Sequence, residues 1–339
     1  MVTKIGLDLG YANITISNIN GDVFRESAVA IVDKNTRKTL AVGNETSEFV
    51  PDESLMLVRP FKNGLLYSSG LTKDVIRKEI KSVNARDKIR CVVALPSDFI
   101  PKQEHEIFKM LEEAGVSESY SVNPALAAMI GAGYAPTASA VSVNFGASHT
   151  EIAVIHKGEI ILTVRENIGG EDFDRAVKEY IYEQGGMTVS LLIARTIKER
   201  LGAVWQGRPS DSIEIEGVLA LTGNEVKMTI SDEDIVGVFE RPLQKFLSVV
   251  ATTVTKIPGD IAAEILKTGI ILTGGAADIY GLDVMMERVF DIPVIRPYNP
   301  IDSISRGLAR INTFIPVKYK SDRNISEQIS KLYENKNSK

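Results

Sequence analysis

Residues 4–24, KIGLDLGYANITISNINGDVF, decide the fold of this 339-residue chain. Two apolar runs flank a small-residue turn at residues 10–13, and an Asn-Gly pair at 20–21 leads into a third run. An Asn-Gly pair between apolar runs is a strong hairpin signal. The stretch therefore predicts three antiparallel strands, with Asp8 placed just before the first turn.

The same pattern returns at residues 138–164, ASAVSVNFGASHTEIAVIHKGEIILTV. Asp8 falls on Asn144 and Gly10 falls on Gly146, at an offset of 136 (146 − 10). An amphipathic helix is predicted after each copy, at residues 71–83 and 173–184. Two similar meanders could arise by coincidence, but a duplicated domain explains the shared offset. Two copies facing each other would form a cleft with one glycine turn on each wall.

Glycine turns of this kind favour anion binding, because a turn without bulky side chains lets backbone N–H groups approach a phosphate closely. A third such turn follows the apolar run at residues 270–273 and reads Gly274, Gly275, Ala276, Ala277. The end of a buried strand is where an α/β sheet places ligands. A tight strand-to-helix connection needs only one glycine, so we expect a binding loop here.

Composition limits the class of protein. A net charge of −5 and a pI of about 5.5 argue against a general nucleic-acid binder, since such proteins usually carry a basic face. No apolar stretch approaches the roughly 18 residues of a membrane span, and the first 20 residues lack signal-peptide features. Cys91 is the only cysteine, and the three histidines lack metal-ligand spacing. These features predict a soluble, cytoplasmic protein with two core-forming units.

Four motifs, DLGYAN (8–13), VNFGASHTE (143–151), TIKERLG (196–202) and ILTGGAA (271–277), resemble the phosphate and adenosine motifs of the actin, heat-shock chaperone and sugar kinase superfamily. Within it the chain is similar to the bacterial actin MreB family, over nearly everything up to residue 316. The resemblance implies an α/β, actin-like ATPase fold. It has two duplicated RNase H-like domains, each with a smaller inserted subdomain, and a nucleotide cleft between them.

The resemblance also implies a site for ATP or ADP with Mg²⁺. Asp8 would hold the magnesium through water, and Gly10, Tyr11, Ala12 and Asn13 would form the first phosphate loop. The second phosphate loop is implied at Gly146, Ala147, Ser148 and His149. The purine and ribose contacts are implied at Arg195, Lys198 and Glu199. The adenosine loop is implied at Gly274, Gly275, Ala276 and Ala277. From the sequence alone, the three charged residues share one helix face that could equally be solvated.

The chain departs from the family pattern where hydrolysis is performed. Asn144 stands where the second phosphate loop normally starts with an aspartate, and Asn123 stands where a glutamate positions the attacking water; Thr150 retains the family's threonine. Asn123 before Pro124 is also favourable helix-start chemistry. An amide cannot serve as a carboxylate base. We therefore expect these three degenerate catalytic positions to support nucleotide binding with weak ATPase activity at most.

The predicted organisation is a first domain at residues 1–137 with an insertion at about 33–62, and a second domain at 138–316 with an insertion at about 185–230. A capping box is expected at Ser231 and Asp234, opening one long helix over residues 232–256. A late helix in NPIDSISRGLARI, residues 299–311, would return toward the first domain.

The tail at residues 317–339 has six basic and three acidic residues, with Ile325, Ile329, Leu332 and Tyr333 on one helical face. Two interpretations remain open: a short docking helix, or weak attachment to an anionic membrane. The loop at residues 82–88 lacks the large apolar pair that membrane-binding relatives carry. A cytoplasmic location is expected, with membrane-associated filaments as the alternative.

The function that the resemblance implies is a homopolymeric cytoskeletal filament that controls cell shape or shape-driven motility, with MreB paralogues as further partners. A divergent paralogue, like those of wall-less helical bacteria of the Spiroplasma type, would explain the altered positions. The alternatives are a nucleotide-independent structural pseudo-ATPase and a small-molecule kinase of the same superfamily. A chaperone ATPase is disfavoured, because too little chain follows residue 316 for a peptide-binding domain.

Overall fold

The computed structural model describes residues 2–48, 54–62, 65–83, 88–96, 99–316, 319 and 323–338. The chain forms two compact units. The first comprises Met1–Ser142, Ala153–Thr163 and Asp302–Lys339, and the second comprises Val143–Ile152 and Val164–Ile301.

Runs of strands and helices follow one another along the chain, and eight strands precede the first α-helix. They are β1 (Val2–Leu9), β2 (Asn13–Asn18), β3 (Val23–Ser27), β4 (Ala30–Asp33), β5 (Thr39–Val42), β6 (Leu55–Val58), β7 (Phe61–Lys62), β8 (Leu65–Leu66), β9 (Lys88–Ala94), β10 (Val116–Val122), β11 (Ala140–Phe145), β12 (Thr150–His156), β13 (Glu159–Glu166), β14 (Met187–Thr188), β15 (Ser212–Leu219), β16 (Glu225–Ser231), β17 (Ile270–Thr273) and β18 (Val294–Ile295). The α-helices are α1 (Ser69–Ser82), α2 (Pro101–Glu113), α3 (Pro124–Gly131), α4 (Gly170–Gly185), α5 (Leu191–Leu201), α6 (Asp232–Ile235), α7 (Glu240–Val254), α8 (Gly259–Thr268), α9 (Leu282–Phe290), α10 (Ser303–Asn312) and α11 (Ile329–Asn337).

The first five-stranded sheet has the order β10-β9-β1-β2-β3. β1 runs antiparallel to β2 and parallel to β9, and β9 runs parallel to β10. The carboxyl ends of β1, β9 and β10 therefore lie at one edge of the sheet. Ile76 of α1 and Ile107 and Leu111 of α2 are fully buried in the core of this unit.

The second five-stranded sheet has the order β13-β12-β11-β17-β18. Each sheet thus consists of a meander of three consecutive strands, followed by two strands from later in the chain. The last two are parallel in both sheets. The predicted duplication is confirmed at the level of topology. In the second unit, stacked Phe145 and Phe246 rings, with centroids 4.0 Å apart, form part of the core.

Small sheets occupy both predicted insertions. The first has the order β5-β4-β6, and the second has the order β14-β15-β16, with α5 preceding β15. The loop proposed from sequence to lack a membrane-binding apolar pair falls largely on residues 84–87, which lie outside the described part of the chain.

α10 packs in the first unit at very short range. A β-carbon on Gly6 of β1 would lie 2.4 Å from the backbone of α10, and one on Gly307 of α10 would lie 1.8 Å from the carbonyl oxygen of Ala127 in α3. A β-carbon on Gly131 would similarly lie 1.7 Å from the Ser303 oxygen. The sequence placed this helix in a second domain ending at residue 316. Glycine-to-backbone packing places it in the first unit, to which the late helix was expected to return.

The single long helix predicted over residues 232–256 is wrong. The capping box is present, with Ser231 N–H 2.8 Å from the Asp234 carboxylate and Asp234 N–H 3.3 Å from the Ser231 hydroxyl. However, α6 ends at Ile235 and α7 starts at Glu240. Gly237 has a φ of +86°, outside the right-handed helical region, so the helix cannot continue through it.

The C-terminal segment docks on the first unit. Ile325 and Ile329 are fully buried and Leu332 is nearly so, while the Tyr333 ring packs against Phe314 with centroids 5.2 Å apart. The docking interpretation of this tail therefore describes the structure. The apolar residues Ile325, Ile329 and Leu332 of this segment are thus covered by protein. None of the described helices combines the length and apolarity needed to cross a bilayer.

Candidate functional site

The first glycine loop, residues 10–13, joins β1 to β2 and is half-exposed. A β-carbon on Gly10 would lie 2.6 Å from the carbonyl oxygen of Asn13, so the turn closes too tightly for a side chain at this position. The loop is tied to the following chain by the N–H of Ala28, which donates to the Ala12 carbonyl at 2.8 Å. The Arg59 guanidinium lies over the Tyr11 ring, 4.8 Å from its centroid.

Asp8 lies half-buried at the end of β1, next to the first glycine loop. Burial, followed by the negative charge of Asp302, raises the pKa of the Asp8 carboxyl to about 7. Asp302 itself forms ion pairs with Arg25 and, at 3.7 Å, with Arg306. In the described part of the chain no ion pair is formed by Asp8. A cation beside Asp8 would favour its charged form, as a bound metal ion does.

Asn123 lies at the same edge of the first sheet, immediately after β10. Its side-chain oxygen accepts hydrogen bonds from the Ala125 and Leu126 amides at 2.9 and 3.2 Å. The side chain is 3% exposed, and its backbone N–H donates to the Ser326 hydroxyl at 3.0 Å. The predicted N-cap is therefore present, and the side-chain oxygen of Asn123 is engaged in capping α3.

The second glycine loop, residues 146–149, joins β11 to β12 in the second unit. The first turn of α4 covers it: Gly170 N–H donates to the Gly146 carbonyl at 2.9 Å, and Glu171 N–H donates to the Ala147 carbonyl at 2.8 Å. Ser148 and His149 complete the loop, with their side chains 3.2 Å apart. Thr150 is fully buried just beyond it, with its hydroxyl donating to the Ile168 carbonyl at 2.7 Å.

The third glycine loop, residues 274–277, begins at the end of β17. Gly274 has a φ of +89°, and a β-carbon there would lie 2.3 Å from the Phe145 carbonyl oxygen and 2.8 Å from Oδ1 of Asn144. Glycine is required on both counts. Gly275, Ala276 and Ala277 continue into a 3-10 helix, Gly275–Asp278. The structure thus places the third loop directly beside Asn144, at the start of the second.

Lys198 is buried, which the alternative of a solvated charged face does not explain. Only 8% of the residue is exposed, and its ammonium group lies 2.6 Å from a carboxylate oxygen of Asp174 and donates to the Gly170 carbonyl at 3.1 Å. Arg195 donates to the same carboxylate at 3.3 Å. Glu199, by contrast, is exposed. α5 is therefore fastened to the start of α4 through one fully buried acid.

Gly170 is the point at which these elements meet. A β-carbon there would lie 3.2 Å from the Lys198 ammonium, 3.4 Å from the Ala276 side chain and 3.8 Å from the Gly146 carbonyl oxygen. In the second unit, the structure therefore brings together three separate predictions: the second loop, the third loop and Lys198. Sequence reasoning missed Asp174, although its place one helical turn after Gly170 is a signal that could have been read.

A family model described as MreB/Mbl protein matches residues 2–318. The chain belongs to the MreB/Mbl family. Among similar proteins, the Bacillus cereus protein described as "Cell shape-determining protein Mbl" is 27% identical over 312 residues, covering 89% of this chain and 93% of that protein. This MreB/Mbl member is thus divergent, and the resemblance stated from its motifs is confirmed.

Solved structures show that this MreB/Mbl member has the actin-like fold. MreB5 of Spiroplasma citri, solved bound to ADP, matches with a TM-score of 0.86 at 20% identity, covering 99% of both chains. A structure described as a MamK double helical filament matches with a TM-score of 0.77 at 21% identity, covering 93% of this chain and all of that one. The predicted fold class is confirmed.

Proposed function

We propose that this MreB/Mbl family member is an actin-like cytoskeletal protein that binds ATP and ADP and polymerises into filaments that control cell shape. The observation that carries nucleotide binding is the set of three glycine loops at strand ends, two of which exclude a β-carbon at Gly10 and Gly274. Such loops let backbone amides reach phosphate oxygens. The Spiroplasma citri neighbour bound to ADP supports nucleotide binding, and the MamK filament supports polymerisation.

The residues present fit a magnesium nucleotide. Asp8 supplies a carboxylate whose pKa is raised to about 7. A cation beside this carboxylate would stabilise its charged form. Asn144, in the second unit, is a neutral amide and would supply no charge to a metal ion. The first and second glycine loops would receive phosphates, and Lys198, Arg195, Glu199 and the third loop would hold the nucleoside. Magnesium, when bound, would neutralise phosphate charge.

We further propose that hydrolysis is slow. The side-chain oxygen of Asn123 accepts two backbone amides, at 2.9 and 3.2 Å, and an amide has no basic form at neutral pH. The Thr150 hydroxyl donates to a backbone carbonyl inside the second unit. Loss of a positioned base lowers a rate by about 10²- to 10⁴-fold. Binding without rapid turnover follows from this arrangement.

Three measurements on purified protein test the proposal. Fluorescent mant-ATP should bind in the presence of magnesium, electron microscopy with Mg-ATP should show filaments, and phosphate release should be slow. Restoring both acids, with Asn123→Glu and Asn144→Asp together, should raise phosphate release. A wild-type chain that binds no nucleotide yet forms filaments would replace this proposal with a nucleotide-independent filament protein. No filaments under any condition would contradict polymerisation.

A further inference from the structure

Arg59 reaches from the small sheet of the first unit into the first glycine loop. It directly follows β6, and its guanidinium lies 4.8 Å from the centroid of the Tyr11 ring. One of its terminal nitrogens, Nη1, donates to the Tyr11 carbonyl at 3.2 Å and to the Ala28 carbonyl at 3.4 Å. A single side chain thus contacts both the ring and the backbone of the residue that follows Gly10.

The backbone that carries Arg59 is held on both sides. Val58 pairs with Ala30 in the small sheet. On the other side, the Pro60 carbonyl accepts hydrogen bonds from the Tyr67 and Ser68 amides at 2.9 and 3.1 Å, and Phe61 is buried in the core. Proline also fixes its own φ angle. The guanidinium is therefore presented from a rigid base rather than from a loop.

The contacts of Arg59 complete a closed ring around the first glycine loop. Ala28 donates its N–H to the Ala12 carbonyl at 2.8 Å, while the Ala28 carbonyl accepts from Arg59. Arg59 in turn donates to Tyr11, the neighbour of Ala12. The carbonyls of Tyr11 and Ala12 at the tip of the turn thus both accept hydrogen bonds from residues of the first unit. Their orientation is fixed, and so is the orientation of the amides that follow them.

The chemistry of this contact requires arginine in particular. A planar guanidinium can stack on an aromatic face while its edge donates to two carbonyl oxygens, whereas a lysine ammonium is a point charge. It also leaves a positive charge beside a loop whose amides already favour anions. Positioning and charge therefore act in the same direction.

We propose that Arg59 is a positioning residue for nucleotide binding. It holds the first glycine loop, through Tyr11, in the conformation that receives a phosphate group, and it adds a favourable positive charge. The proposal rests on the nucleotide-binding function proposed above. The small sheet β5-β4-β6 then helps to hold the phosphate loop in place, because Arg59 directly follows β6, the last strand of that sheet along the chain.

The test uses the full chain and mant-ATP with magnesium, and compares Arg59→Met, Arg59→Lys, Tyr11→Ala and Tyr11→Phe. Arg59→Met should weaken the affinity by about tenfold, since a charged hydrogen bond and a cation–π contact are lost. Arg59→Lys, which keeps the charge, should fall between it and wild type. Tyr11→Phe retains the ring and should therefore lose less affinity than Tyr11→Ala. Tyr11→Ala combined with Arg59→Met should lose less than the two separate losses added together.

Arg37→Met is the matched control. Arg37 is exposed in the β4–β5 turn of the same small sheet, and its substitution by Met removes the same charge. Melting without nucleotide is measured in parallel. Arg59 variants that melt earlier but bind mant-ATP as tightly as wild type would show a structural role only and overturn the inference, leaving nucleotide binding intact. If Arg59→Met does not fold, equal affinity of Arg59→Lys and Tyr11→Ala with wild type would overturn it. A wild-type chain that does not bind mant-ATP would overturn both proposals.

Discussion

The ammonium group of Lys198 lies 2.6 Å from a carboxylate oxygen of Asp174, and both side chains are almost completely buried. Arg195 donates to the other oxygen of the same carboxylate at 3.3 Å. This acid therefore joins α5 to the helix whose first turn covers the second glycine loop. The negative charge of Asp174 on α4 offsets the positive charges of Lys198 and Arg195 on α5. Burying the charges of either helix without those of the other would be costly.

Asp174→Asn should destabilise the chain by about 3–5 kcal/mol, because it leaves the Lys198 ammonium buried without its counter-charge. The midpoint of urea unfolding measures the loss. Glu179→Gln is the control, since Glu179 is exposed on the same helix. Equal midpoints for the two variants would show that the ion pair does not stabilise α4 and α5.

Gly274→Ala should be severely destabilising, whereas Gly275→Ala should be tolerated. The first change places a methyl group 2.3 Å from the Phe145 oxygen at a φ of +89°, and the second finds its nearest neighbour at 3.4 Å. Backbone strain of this kind alone costs about 1–3 kcal/mol. Chemical denaturation of both variants gives the comparison; similar stabilities would contradict the tight packing of the third loop on β11.

Asn123→Ala should cost about 0.5–2 kcal/mol, and Asn123→Asp should cost much less, because an aspartate oxygen can still cap α3. Thermal melting of the two variants is the measurement. If alanine is as stable as asparagine, the two hydrogen bonds to the Ala125 and Leu126 amides are not stabilising, and the capping account of Asn123 fails.

Ile329→Ala in the docked tail should destabilise the chain by about 2–5 kcal/mol, as expected for a large-to-small change in a core. Glu334→Ala, at an exposed position of the same helix, is the control. Liposome sedimentation of the full chain and of a chain ending at Pro316 accompanies it. Unchanged stability of Ile329→Ala, or anionic-liposome binding that depends on the tail, would show that the tail leaves its docked position in solution.

Glu79 in α1 gives the chain a pH-dependent stability. Burial, followed by the charge of Glu26, raises the pKa of the Glu79 carboxyl from its ordinary value near 4.5 to about 7. The folded state therefore holds this proton longer than the unfolded chain. Folding loses stability as pH rises between these values, and the full cost is present above pH 7.

Glu79→Gln should thus raise the melting temperature at pH 8 and lose this advantage near pH 4.5. For a chain of 339 residues, each kcal/mol recovered should raise the melting temperature by about 1–2 °C. Glu112→Gln, at an exposed position of α2, is the matched control. A gain that is the same at both pH values would rule out ionisation of Glu79 as its cause.

Local sequence signals predicted those features that depend on neighbours in the chain. The Asn-Gly turn, the repeated small-residue turns and the Gly274–Gly275 pair each constrain a few consecutive residues. Their topology followed because two copies of one meander were recognisable. Asn123 before Pro124 likewise predicted a helix start, which the structure has.

Features that depend on distant partners were not accessible in this way. Arg59 is 48 residues from Tyr11, and no local pattern indicates that its guanidinium will meet an aromatic ring. Lys198 on a charged helix face is compatible with solvent or with a buried acid, and only packing against α4 decides between them. Gly237 is a signal for a helix break, but the prediction of one continuous helix relied on the capping box at Ser231 and Asp234.

The close crossing of α3 and α10 limits the substitutions that the two helices tolerate. At Gly131 and Gly307 each helix backbone occupies the space that the other would need for a β-carbon. Neither position can accept even alanine unless the helices separate, and separation would disturb the Asn123 cap at the start of one helix and Asp302 at the start of the other. A single nucleotide change at either codon is therefore a candidate loss-of-function lesion far from any glycine loop, and random mutagenesis should find these two sites intolerant.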